Sequence, residues 1–242
     1  MRILATFAAA LAATLTSMIP AFAGDVAAVN VLGFSPDGRV FAFEEYGVQD
    51  GSGFPYAHRY YLDTATDTFV SGTPIRVMIE DETVGVPIAR AQAKLRGEKL
   101  IKDATLDANR GNLAGYNAVT EESADPHRLA VNPRPVYPAV DAPLELRLEE
   151  FSFEAPERCQ GITDVKGFRL LRIDASPNGR TKMLHEDTKI PLSRGCPTAY
   201  RLTGIQTFYP HNGAPVYAAL IAIQRYGFEG PDYRFIAFTE RL

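Results

Sequence analysis

The stretch FSPDGRVFAFEEYG, residues 34–47, decides the fold. Pro36 pre-sets a turn dihedral, Asp37 can bond back onto its own backbone, and Gly38 tolerates positive φ, so residues 35–38 read as a tight turn. Before it, residues 29–34 form a short apolar run, a candidate buried strand. After it, residues 40–46 are rich in aromatic and β-branched side chains, the composition of a second strand. Residues 49–56 form a long loop holding Gly51, Gly53 and Pro55. A third strand follows over residues 57–63, then a turn over 64–67, and a fourth strand begins at Thr68. Together these segments describe a four-stranded antiparallel meander.

The segments "FSPDGRVFAF" and "YYLDTATDTFV" resemble one repeat of the TolB-type β-propeller. That resemblance implies a blade-like sheet and says little about activity. Looser echoes follow. Ser-Pro-Asn-Gly-Arg at 176–180 nearly repeats Ser-Pro-Asp-Gly-Arg at 35–39, and residues 212–238 retrace the order of turn, strand, loop and strand seen in residues 37–56. Two or three blade-like sheets are expected. A closed propeller needs at least about four blades. The fold class expected is therefore mainly β, with antiparallel blade-like meanders forming a partial propeller or a sandwich.

Residues 87–106 interrupt this pattern with Ala, Lys, Leu, Arg and Glu, all strong helix formers, behind a Pro suited to a first helical turn. The spacing predicts one amphipathic helix near residues 87–106, laid across a sheet with Ile88, Ala91 and Leu95 on its inner face. The Pro-rich residues 109–143 read as an extended connection with a short edge strand near 129–137. Residues 144–153 alternate cleanly and predict a strand. A single mainly-β domain over 24–242 is expected, with sub-halves 24–82 and 144–242 joined by the helix and this connection.

The first residues indicate the compartment. Arg2 precedes an uncharged apolar run, Pro20 breaks it, and Ala21-Phe22-Ala23 offers a small-x-small cleavage pattern. Residues 1–23 thus read as a secretory signal peptide cut after Ala23, leaving a periplasmic or secreted protein with no stable membrane span. With Arg2 set aside, 24 basic and 29 acidic residues remain. No basic stripe is visible, which argues against nucleic acid as a partner. Two cysteines, Cys159 and Cys196, in an oxidising compartment predict one disulfide.

Catalytic constellations are weak. The four histidines are scattered without metal-ligand spacing, so no metal and no cofactor is expected. His185-Glu186-Asp187 reads as a solvated turn. Gly51-Ser52-Gly53 lacks the spacing of a nucleophile elbow. Neighbouring carboxylates such as Glu44-Glu45 should point to opposite faces of a strand, although either of them, with Asp50, could help a Gly-rich loop hold calcium. The loop itself is the candidate binding element, through Asp50, Ser52, Phe54 and Tyr56, the last two taken as exposed aromatics.

Across the mature chain, "FAFEEYGVQDGSGFPYA" and "IAIQRYGFEGPDYRFIAF" resemble a family of predicted secreted bacterial proteins, domain of unknown function 2259. The resemblance implies export and carries over no catalytic residue. The function expected is a non-enzymatic envelope module that binds an envelope protein or a small ligand. The alternative is an envelope hydrolase using carboxylate chemistry.

Overall fold

The computed structural model describes residues 24–161, 164–174, 179–227 and 230–242. The expected signal segment, most of the 176–180 turn and residues 228–229 lie outside the described residues.

Thirteen strands build three antiparallel sheets among the described residues. The first holds β1 (Ala28–Phe34), β2 (Val40–Val48), β3 (Pro55–Asp63) and β4 (Thr68–Phe69) in sequence order, with β5 (Ile75–Met78) also paired to β3. This is the meander expected from residues 34–47. The turn forms as its residues dictate: Gly38 has φ 72°, the Ser35 hydroxyl donates to Asp37 Oδ1 at 2.6 Å, and the Arg39 amide donates to the same oxygen at 3.1 Å. The second sheet runs β7 (Arg128–Val131), β8 (Leu144–Phe153), β9 (Val165–Ile173) and β10 (Lys182–Glu186). The third runs β6 (Asn112–Tyr116), β11 (Pro197–Phe208), β12 (Val216–Arg225) and β13 (Asp232–Arg241).

β12 explains how the sheets stack. Alternate residues of a strand face opposite sides, and here both sides are apolar. Val216, Ala218, Leu220 and Ala222 pack with Phe34, Phe41, Phe43 and Tyr60 of the first sheet. Tyr217, Ala219, Ile221 and Ile223 pack with Leu144, Leu146, Leu148, Phe168 and Leu170 of the second. The third sheet is thus the middle layer and contributes to both cores. The stack does not close on itself. The far face of the second sheet carries Arg128, Glu145 and Arg147 in mutual ion pairs, while the far face of the first is covered by helices.

The helical segment differs from its expectation in two ways. It is split into α1 (Val86–Gly97) and α2 (Asp103–Ala108). The buried residues of α1 are Ala89, Ala93 and Gly97, whereas Ile88 and Leu95 are exposed. Small residues win because the helix lies very close to the sheet: a Cβ on Gly97 would stand 2.2 Å from the Tyr61 hydroxyl oxygen. The extended connection does carry its edge strand, β7. Cys159 and Cys196 form a disulfide, tying a short turn after β8 to the start of β11.

Candidate functional site

β13 forms an edge of the middle sheet, and an edge strand presents backbone groups that need partners. Two carboxylates from the first sheet fill that need. Glu45 Oε2 accepts the Phe235 amide at 2.8 Å, and Asp67 Oδ1 accepts the Thr239 amide at 2.7 Å and the Thr239 hydroxyl at 2.9 Å. The N-terminal segment continues the cover, with the Tyr233 amide donating to the Asp25 carbonyl at 2.9 Å.

Beside Asp67 the three sheets converge on a cleft of about 510 Å³. The first sheet supplies the turn Thr64, Ala65, Thr66 and Asp67. The second supplies Lys182, Met183 and Leu184 from β10. The third supplies Tyr217 from β12 and Phe238 to Arg241 from β13. A volume within roughly 300–1,000 Å³ that joins apolar walls to a few converging polar groups is the usual form of a small-ligand site. Here Leu184 and Phe238 are the apolar wall, and Asp67, Lys182, Glu240 and Arg241 are the charged groups.

Asp67, Lys182 and Glu240 are held by specific contacts. Glu240 accepts the Tyr217 hydroxyl at 2.9 Å, pairs with Lys182, and lies 3.6 Å from Arg172. Burial pushes the Tyr217 hydroxyl far above the usual tyrosine range, and Glu240 adds to the shift. Asp67 is the sole non-glycine with positive φ among the described residues, at 53°, a conformation that aspartate tolerates better than most side chains. Burial raises its carboxyl above the usual range; the bonds from Thr239 oppose this, and the negative charge of Glu240 adds to it. The cleft therefore holds two carboxylates, one of which resists ionisation.

The loop expected to bind lies elsewhere. Ser52 donates to Gln49 Oε1 at 3.0 Å and accepts the Phe54 amide at 3.3 Å, so its hydroxyl closes the loop. Gly51 and Gly53 take positive φ of 78° and 69°. Asp50 lines a shallow hollow with Asp25, Val26 and Val48. Phe54 is half-buried. Tyr56 is 1% exposed, because it is the second residue of β3 and faces the core, donating to Asp25 Oδ1 at 2.9 Å. It is no surface aromatic. Glu44 and Glu45 do face opposite ways: Arg90 forks onto Glu44 beneath α1, while Glu45 accepts from Tyr60 and Phe235 in the interior.

His185-Glu186-Asp187 is also corrected. Asp187 is buried and accepts the Phe168 amide at 2.9 Å and Arg194 Nη1 at 2.6 Å, with His185 Nε2 at 2.8 Å. Among the described residues no three His, Cys, Asp or Glu side chains cluster so as to hold a metal ion, and no helix is long and apolar enough to cross a membrane. The cleft residues escaped sequence reasoning because Asp67 finds Thr239 across 172 positions. Nothing in the short Thr-rich turn announces that partner.

Residues 42–241 match the family model described as "Predicted secreted protein (DUF2259)", and the chain belongs to that family. No curated protein and no solved structure matches the chain.

Proposed function

We propose, with membership of this secreted family as the premise, that the protein is an exported, non-enzymatic binding module of the bacterial envelope, freed by cleavage after Ala23. Its ligand, a small envelope molecule or an envelope protein segment, occupies the cleft between the three sheets. The observation that carries this reading is the convergence there of Leu184 and Phe238 with Asp67, Lys182 and Glu240. Such a lining suits a ligand with an apolar body and polar ends. A photo-crosslinking residue at Met183, on the exposed rim, should capture a discrete adduct in living cells. Probes at Phe54 and at the fully exposed Tyr137 should not. An adduct at Phe54 alone would return the binding face to the 49–56 loop and overturn the assignment.

A second reading has one observation in its favour. Asp67, held above the usual range, shares the cleft with Glu240, and a carboxyl shifted toward its protonated form in a cleft with a second carboxylate is the kind of pair general acid chemistry uses. Hydrolysis of an envelope glycan or ester by the parent protein, lost in Asp67→Asn with its melting temperature kept, would select this reading over the first.

A further inference from the structure

The helix α1 lies outside the first sheet, and its outermost face is apolar. Ala89, Ala93 and Gly97 touch the sheet. One turn geometry away, Ile88, Ala91 and Leu95 fall together on the opposite side. Ile88 is 53% exposed and Leu95 69%, and Leu100 in the following turn is 41% exposed. No described element covers this stripe.

Its C-terminal end is cationic. Residues 86–102 hold Arg90, Lys94, Arg96, Lys99 and Lys102 against Glu98, with the acidic residues Glu80, Asp81 and Glu82 before them and Asp103 and Asp107 after them, so the basic excess gathers at the C-terminal end of the helix. Arg90 is committed to Glu44. Lys94 is shared between Glu98 at 3.9 Å and Asp103 at 3.6 Å, whereas Arg96, Lys99 and Lys102 are exposed at the end of the helix and in the turn after it, with the exposed Arg76 of β5 alongside Arg96, which donates to its carbonyl at 3.4 Å.

We infer that this ridge docks the protein onto the surface of an anionic lipid bilayer. A helix end on which exposed Leu95 and Leu100 stand among Arg96, Lys99 and Lys102 matches the boundary between acyl chains and negatively charged headgroups. Lys and Arg can lay their stems along the apolar crest while their charges reach phosphate. Charge complementarity selects the bilayer over a neutral surface, and the protruding shape favours a deformable interface over a preformed protein groove. Docking holds the protein by its first sheet. The cleft is lined by the 64–67 turn and by β10, β12 and β13, and shares no residue with the surface of α1, so docking leaves the cleft open.

The test uses the mature chain, residues 24–242, in vesicle flotation. The parent should float with vesicles of equal phosphatidylglycerol and phosphatidylcholine, and not with phosphatidylcholine alone. Raised salt should release it, since exposed charges are screened. Leu95→Asp and the pair Lys99→Glu with Lys102→Glu should each cut the bound fraction at least tenfold with melting temperature unchanged, as these side chains are exposed. Leu192→Asp, a distant exposed leucine, should float like the parent. A parent that does not float, or floats regardless of these changes, overturns the proposal. So does a self-association of the free protein that Leu95→Asp abolishes, or a discrete protein captured by a probe at Leu95 when vesicles are not bound.

Discussion

Glu45 and Asp67 do the same structural task with opposite electrostatics. Both cap amides on the edge of β13. Burial pushes Glu45 up, but bonds from His58, Tyr60 and Phe235 outweigh it, and its carboxyl sits below the usual range. A carboxylate with a lowered native value stabilises the fold above its ordinary value and loses that contribution as the pH falls through the native one. Glu45→Gln should therefore cost about 2–3 kcal/mol at neutral pH, the worth of buried hydrogen bonds to a charge. In denaturant titrations the gap to the parent should shrink below the ordinary glutamate value of 4.5. Asp67 has the reverse sign. Its native value is raised, so the folded state holds the proton more tightly, and stability falls as the pH rises through the window above the ordinary value of 3.8. Asp67→Asn keeps an acceptor for the Thr239 amide and removes the charge. It should melt at or above the parent temperature at neutral pH, with the difference closing on acidification. A variant that melts lower at neutral pH would show that the charge itself holds the turn.

The element that departs most from its sequence expectation is α1. A helix offers several stripes at the same spacing, and hydrophobicity ranks Ile88 and Leu95 above Ala89, Ala93 and Gly97. The structure buries the small set because Ala57 and Val77 of the sheet come up to meet Ala89 and Ala93, and only small side chains allow so close an approach. Gly97 makes the point testable. In an open helix Gly→Ala gains about 1 kcal/mol from propensity. Here the new methyl would strike the Tyr61 hydroxyl, and overpacking costs about 1–3 kcal/mol. Gly97→Ala should lower the melting temperature, and Gly97→Ala with Tyr61→Phe should recover part of the loss. The first meander was legible for the converse reason. Its turn is specified by Ser35, Asp37 and Gly38 within four residues, and its strands by short local runs of apolar, aromatic and β-branched residues. The helix face, the capping carboxylates and the cleft depend on what lies across the fold, and no short window of sequence records that.

At the scale of the molecule, two features bind the layers together. One is the disulfide, which spans 37 positions and by loop-closure entropy is worth about 3–4 kcal/mol. Replacing both cysteines by serine should reduce stability by about that amount in denaturant titration, and mild reductant should do the same to the parent. The other is β12, whose two faces complete both cores. A chain that has emerged only as far as residue 215 carries the first two sheets and β11, whose Tyr200, Leu202 and Ile205 cover part of the second, but lacks the strand that completes both cores. Neither core is complete until the penultimate strand inserts between the sheets. Such an order suits a polypeptide threaded through a narrow pore from its N-terminus, because it stays loose enough to pass and acquires its shape only once nearly all of it has crossed. The same order leaves a window in which proteases and chaperones can meet an unfinished chain.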